Sequence, residues 1–274
     1  MHNLSVMSTA QNGPGPTQNI NTPFLQNFEI VSANTPMLID EAHKLRYQVY
    51  CEEKGYEDAA AYPDGREYDE YDRRSVHSLI CHRDSGIYVG VVRLILPECG
   101  GAYAPLPMER HCQLDLAKTH PQLAAAPRSQ VGEISRFSVS KVFRRRLVEE
   151  GLIYGVSGDG REVHPNFDRR LLPHITLGLI AAFIRMCATH GIYYCYAVME
   201  STLLRFLGRF GIQFSTLGET VDYHGLRVPA VITAGNLENI RRTRADLWQL
   251  IGGDALSSFN SAHLTSRTHR PKFI

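Results

Sequence analysis

The chain has 274 residues, 43% apolar and 21% charged, a composition that indicates a folded globular protein and excludes disordered and fibrous classes. Its 29 Lys and Arg against 28 Asp and Glu leave a formal net charge of +1. There is thus no global attraction to nucleic acid or anionic membrane, and any charged partner must be met by a local patch. Six cysteines (Cys51, Cys81, Cys99, Cys112, Cys187, Cys195) form no C-x-x-C pair, and no basic-then-apolar leader opens the chain. Reduced, buried thiols in a cytoplasmic protein are therefore expected, with no zinc or other metal site. The most apolar stretch, Ile175 to Ala188, is interrupted by Arg185 and falls short of the ~20 residues that a membrane span needs.

In chain order, residues 1–23 are rich in Asn, Gln, Pro, Gly, Ser and Thr and are expected to be a flexible tail. A single domain is expected over 24–252. Leu25 to Val31 reads as a strand. Thr35 offers an N-cap with Pro36 at the first helical position, and Leu38, Ala42, Leu45 and Val49 mark one helical face. A charged, tyrosine-rich loop runs from Lys54 to Arg74. Val76 to Cys81 and Ile87 to Leu96 then form a hairpin about Asp84-Ser85-Gly86. A Pro-rich connection from Pro97 to Arg128, with one short helix, leads to a strand at Val131 to Ser140. A basic, Gly-rich insert follows at 141–170. Pro173 to His190 is an apolar helix stopped by Gly191, and Ile192 to Val198 is a buried strand. Ser201 caps a short helix that ends before Gly211. Ile212 to Thr216 pairs with Leu226 to Ala234, one closing helix spans Asn236 to Ile251, and 253–274 is a second tail. This order describes an α/β domain with a mixed sheet.

Familiar catalytic motifs fail. Gly155-Val156-Ser157-Gly158-Asp159 departs from a nucleophile elbow at its fifth position, Gly158-Asp159-Gly160 lacks the last Gly of a dinucleotide fingerprint, and there is no phosphate-binding P-loop. The 12 histidines show no ligand spacing.

What remains is a set of charged and aromatic residues at the edges of the predicted elements. Arg46 and Tyr50 lie on the first helix, Tyr56 in the following loop, Asp69 and Asp72 before the second strand, Arg93 in the third, and Glu133-Ile134-Ser135-Arg136-Phe137 in the fourth. Together they resemble the autoinducer (acyl-homoserine-lactone) synthases and N-acyl amino acid synthases, members of the GNAT-type acyltransferases. The motif match covers about residues 25–140. The length and the insert look most like the acyltransferases of bacterial exosortase (PEP-CTERM) sorting systems. Tyr50 stands where Phe is usual in the family and Tyr56 where Trp is usual, the only tryptophan being Trp248. The resemblance implies a GNAT-like, mostly antiparallel sheet flanked by helices, with splayed fourth and fifth strands. It implies an enzyme that moves a fatty acyl group from acyl carrier protein, or less readily coenzyme A, to the amine of an amino acid or similar small acceptor. No tightly bound cofactor is implied, since the acyl-phosphopantetheine is a co-substrate. The alternatives are a homoserine-lactone synthase that uses S-adenosylmethionine and a non-catalytic acyl-binding module.

Acyl transfer from a thioester to an amine needs a neutral amine, a polarised carbonyl and room for the thiol carrier. Glu133 is the candidate general base, provided burial moves its pKa toward neutrality. Backbone N–H groups from Arg136 to Ser138 are candidates for the carbonyl, with Phe137 and Ser138 at the substrate. Against this, Glu133 and Arg136 could be a plain ion pair, and Arg46 could snorkel with its head in water. A loop folded so that Asp69 and Asp72 meet Arg46 and Arg93 is the functional alternative. Arg144, Arg145 and Arg146 form the local basic cluster that would dock an acidic carrier protein, nucleic acid being the weaker option for want of a reader motif. Three apart on a regular strand, Glu133 and Arg136 would face opposite ways, so a β-bulge between Glu133 and Phe137 is predicted.

Overall fold

The computed structural model describes residues 21–98, 104–141 and 166–253. Within them, eight strands form one sheet: β1 (Phe28–Ala33), β2 (Ser75–His82), β3 (Tyr88–Ile95), β4 (Val131–Val139), β5 (Tyr194–Met199), β6 (Ser215–Thr216), β7 (Val221–Asp222) and β8 (Leu226–Thr233). The spatial order is β1-β2-β3-β4-β5-β8-β6, with β7 paired to β8. Every pairing is antiparallel except that of β4 with β5. This is the predicted GNAT-like architecture.

Alternation along the strands sorts side chains to two faces. Ile80, Val92 and Leu94 pack against α6 (Asn166–Thr189), while Leu79 and Val91 pack under α2 (Pro36–Tyr47) with Ala42, Leu45 and Val49. On the α2 side the sheet is also covered by α3 (Pro107–His111), α4 (Leu116–Thr119) and α5 (Pro121–Ala124); Met108, Leu123 and, just after α3, Cys112 meet Ile95, Val131 and Tyr196. The α6 face is completed by α1 (Asn21–Asn27), α8 (Ala234–Thr243) and α9 (Ala245–Ile251); α7 (Ser201–Arg209) follows β5.

Several predicted boundaries move. Residues Asn21–Asn27 are helical, so the first strand begins at Phe28 rather than Leu25: Phe24 and Phe28 are fully buried while Leu25 is largely exposed, a helical spacing. Among its described residues the Pro-rich connection holds three short helices, not one. α6 starts at Asn166 and carries Pro173 in its interior, where the ring's fixed φ is tolerated at the loss of one backbone donor. It ends as predicted at Gly191, whose φ of 67° lets Ile192 N–H reach the Cys187 carbonyl at 2.8 Å. Ser201 is the first helical residue rather than the cap, which is Glu200. The closing helix breaks at Arg244, which pairs with Asp246, into α8 and α9. Of the predicted Ile212 to Thr216 strand only Ser215–Thr216 pairs; Ile212 is instead a buried core residue. The Thr35 cap stands, its Oγ1 accepting from Leu38 N–H at 3.3 Å. Cys51, Cys81, Cys112, Cys187 and Cys195 are free and buried. No described helix is long and apolar enough to cross a membrane. The tails (1–20, 254–274), Cys99 and nearly all of the basic insert fall outside the described residues.

Two helical glycines give a paired test. A Cβ at Gly178 would sit 2.2 Å from the Phe24 ring, whereas one at Gly208 meets nothing within 4 Å. Gly208→Ala should stabilise the protein by roughly 0.5–1 kcal/mol through helix propensity. Gly178→Ala should destabilise it by about 1–3 kcal/mol through overpacking. Urea unfolding of both variants reads the contrast; equal, same-sign shifts would contradict it.

Candidate active site

The site is built on the face of the sheet where His77, Arg93 and Ser135 lie side by side, His77 paired with Arg93 and Arg93 with Ser135. Arg46 descends from α2 and is fully buried, so it does not snorkel. Just beyond it the chain makes a π-helical turn, Gln48–Glu53, and the Tyr50 carbonyl at that turn accepts N–H groups from Tyr56 and Glu57 at 2.8 and 3.2 Å. The charged loop then folds back over the sheet.

Its carboxylates are met by three guanidinium groups. Arg46 donates through Nη1 and Nη2 to both oxygens of Asp72 at 2.6 and 2.9 Å, and through Nε to Glu67 at 2.5 Å. Arg93 forks onto both oxygens of Asp69 at 2.6 and 2.8 Å and onto Ser135 Oγ at 2.8 Å. Arg136 donates to Glu67 at 2.7 Å and to Asp69 at 3.2 Å. The loop is thus stitched to α2, β3 and β4 by planar, bidentate pairs. Burial works against charge on Glu67, but Arg136 and Arg46 outweigh it and hold the carboxyl down at about 2. Asp72 is partly buried, which works against its charge, yet His77 and Arg46 keep it well below the carboxylate range.

His43, Asp72 and His77 gather their ligand atoms within 4.8 Å. Arg46 Nη1, however, lies 2.6 Å from Asp72 Oδ1 and 3.0 Å from His77 Nε2. A guanidinium already fills the place a metal would take, and burial depresses the pKa of both histidines.

The predicted bulge is present. Val91 pairs with Ser138 and Arg93 with Ser135, so β4 carries one extra residue across that interval. Arg136 takes φ 50°, and its side chain joins Arg93 at Asp69 on the face of Ser135 and Glu133. The predicted splay is present too: β4 and β5 pair only at Val131, Gly132 and Glu133, after which β4 continues to Val139 without β5 beside it.

A cavity of about 420 Å³ opens at that parting, lined by Glu133 to Val139 of β4, Val198 and Met199 of β5, Tyr50 and Tyr56, and Thr176 of α6. Phe137 and Ser138 line it, while Arg46 and Asp72 lie behind it as support for Arg93 and Asp69. Glu133 and Arg136 do not pair with each other. Glu133 is 3% exposed and accepts the Met108 backbone N–H at 2.9 Å. Burial, against which that single bond and distant Arg93 count for less, pushes its carboxyl up to about 8. Arg136 instead lies 5.1 Å from the Tyr50 ring centre, and Tyr50 and Tyr56 are 6.2 Å apart. None of the buried cysteines lines the cavity, and burial lifts the Cys51 and Cys112 thiols to about 11.

Arg144, Arg145 and Arg146 lie outside the described residues, and with them the expected docking surface. Sequence reasoning missed Glu67, although it stands two residues before Asp69 in the same charged loop. It also missed Met108, whose role is a backbone donor. Pro107 at the first helical position was the available signal, because it leaves Met108 with the first N–H of α3. Tyr223, His224 and Arg227, which also line the cavity, carried no signal, since the β7–β8 tip is remote in sequence; Lys54, at the start of the charged loop, lines it as well.

Glu67→Gln would leave Arg46 and Arg136 buried with one carboxylate fewer. The expected loss is about 3–5 kcal/mol in denaturant unfolding near neutral pH, with the difference from wild type shrinking as pH falls from ~4.5 toward 2, where the native Glu67 takes up its proton. A loss below about 1 kcal/mol would contradict the assigned network.

A family model, the acetyltransferase (GNAT) domain, matches residues 45–154. Among solved structures, the CoA-dependent acyl-homoserine lactone synthase BjaI, with SAM and isopentyl-CoA, is 22% identical, with a TM-score of 0.51 over 86% of this chain and 99% of that chain. TofI, in a ternary complex with an inhibitor and MTA, is 23% identical at TM-score 0.47, covering 78% of this chain and 96% of that one. FeeM, an N-acyl amino acid synthase from uncultured soil microbes, is 12% identical at TM-score 0.46, covering 81% and 97%. No curated protein matched the chain. The BjaI likeness is one of fold, and over residues 45–154 the chain is similar to acetyltransferase (GNAT) domains, so the chain carries a GNAT-type fold.

Proposed function

We propose that the protein is an N-acyltransferase that moves a fatty acyl group from a phosphopantetheine thioester to the amine of an amino acid or similar small acceptor. The observation that carries this reading is Glu133: a buried carboxyl with its pKa pushed up to about 8, placed where β4 and β5 part. A base of that strength removes a proton from an ammonium or from the attacking amine without a nucleophilic side chain. The neutral amine nitrogen forms a bond to the thioester carbonyl carbon, Glu133 takes one proton from that nitrogen, the C–S bond breaks, and the same proton passes from Glu133 to the departing sulfur, which leaves as the thiol. The β4 edge beyond Glu133, freed from β5, offers backbone N–H groups for the carbonyl oxygen, and the gap offers a channel for the pantetheine arm. Arg136, held by Glu67 and Asp69, positions the aromatic pair Tyr50 and Tyr56 beside the acceptor.

The donor proposed is acyl carrier protein, on the strength of the Arg144-Arg145-Arg146 cluster. BjaI, a CoA-dependent enzyme solved with SAM, makes acyl-CoA and S-adenosylmethionine the alternatives to test. Purified protein is offered acyl carrier thioester or acyl-CoA, each with an amino-acid mixture or with S-adenosylmethionine, and products are read by mass spectrometry. N-acyl amino acid from the carrier thioester is the expected product. Acyl-homoserine lactone would replace the acceptor assignment, and no thioester consumption in any arm would leave an acyl-binding module.

For the productive pair, kcat/KM should rise with pH to a plateau above about 8, where Glu133 is ionised. Glu133→Gln should lower turnover by about 10²–10⁴-fold and abolish that limb while acyl-donor binding persists. An unchanged pH profile in the variant would remove Glu133 from the chemistry.

A further inference from the structure

Lys54 lines the cavity, half-buried, with no hydrogen-bond acceptor or carboxylate within ion-pair distance among the described residues. Its Nζ instead lies 5.2 Å from the Tyr56 ring centre and 5.7 Å from that of Tyr50. Arg227 approaches the same Tyr56 ring, 5.9 Å from its centre. Its Nε and Nη2 are committed to the Tyr223 and His224 carbonyls at 2.8 and 3.2 Å, and Nη1 keeps a long 3.5 Å contact with Glu200, which is half exposed. The nearby acid Glu57 is already engaged by Arg136 and His224. Two cations therefore border one aromatic ring, and an acid that shares the cavity with them, Glu200, is half exposed and of the two reaches only Arg227. Burial lowers the pKa of Lys54, with Arg227 and Lys141 pushing the same way against Glu200. An ammonium in that setting is costly unless an anion completes it.

We infer that Lys54 and Arg227 form an anion subsite in this cavity, which takes an anionic oxygen group of a substrate: the carboxylate of the acceptor or the phosphate of the pantetheine arm. The inference rests on the acyltransferase reading for the identity of those substrates, and the subsite is a specificity determinant, not a participant in bond making. It would make the enzyme prefer an acceptor or donor that bears the charge over its neutral counterpart, through charge-assisted hydrogen bonds in a half-dry corner.

Equilibrium binding to the full-length protein tests this without turnover. Two matched pairs of probes are titrated calorimetrically: N-decanoylglycine against N-decanoylglycinamide, and pantetheine 4′-phosphate against pantetheine. The wild type should bind the charged member of one pair about tenfold or more tightly than its neutral partner. A preference in the first pair assigns the subsite to the acceptor carboxylate, and one in the second to the donor phosphate. Lys54→Met should erase that preference and Lys54→Arg should retain it. Should Lys54→Met fail to fold, the wild-type contrast alone decides. Equal binding within both pairs, absence of binding by all four probes, or a preference that survives Lys54→Met would overturn the subsite. If thioester turnover is found but no charge preference, the subsite fails and the acyltransferase reading stands; a charge preference without turnover does the reverse.

Discussion

The exchange of charge between three arginines and three acids beneath one loop is the constraint on which the site depends. Residues 54–74 contain only two single-turn 3-10 segments, Ala59–Ala61 and Asp72–Arg74, so backbone ladders do not fix their path. Arg46, Arg93 and Arg136, from α2, β3 and β4, fix it instead through Glu67, Asp69 and Asp72. Buried pairs of this kind add little net stability, because desolvation of the ions offsets most of their attraction. Their effect is on geometry: each bidentate fork accepts one orientation, so the loop, and the Tyr50 and Tyr56 rings at its start, have one place to be. Removing a single partner is what becomes costly, since it strands charge in a dry setting.

One extra residue in β4 supplies the rest. At Arg136 the backbone enters the left-handed region, which costs about 1–3 kcal/mol for a residue with a Cβ. In return the side chain turns to the face of Glu133 and Ser135, reaches Glu67 and Asp69, and closes the network. The same interval is where β5 stops accompanying β4, so the irregular strand coincides with the mouth of the cavity. Glu133, the last residue still paired on both sides, is thereby buried at the edge of an opening.

The sequence made the order of elements legible because alternation and turn residues are local signals: Asp84-Ser85-Gly86 between two β-rich runs, Thr35-Pro36 before a helix, Gly191 after one. The pairing of Asp69 and Asp72 with Arg46 and Arg93 was also within reach, since acids in a loop without helical spacing need another reason to be together. The bulge followed from counting, because Glu133 and Arg136 cannot share a face of a regular strand. What was not legible depended on long-range placement. Glu67 reads as one more loop acid until two guanidiniums are seen around it. The Met108 donor is a backbone group, invisible as a residue type, and the β7–β8 tip that brings Tyr223, His224 and Arg227 to the cavity lies about 170 residues beyond the loop it meets. The break at Arg244 was hidden for the opposite reason: the apolar spacing of Leu237, Ile240, Leu247 and Ile251 continues through it.

The account turns on Glu133 being a base whose strength comes from burial. Its carboxyl carbon can be followed directly by ¹³C NMR of protein labelled at the Glu side-chain carboxyls, with Glu133→Gln supplying the assignment. The account predicts a glutamate resonance that titrates near pH 8 and is absent in the variant. Titration of that resonance near pH 4.5, the value of an ordinary solvated glutamate, would contradict it.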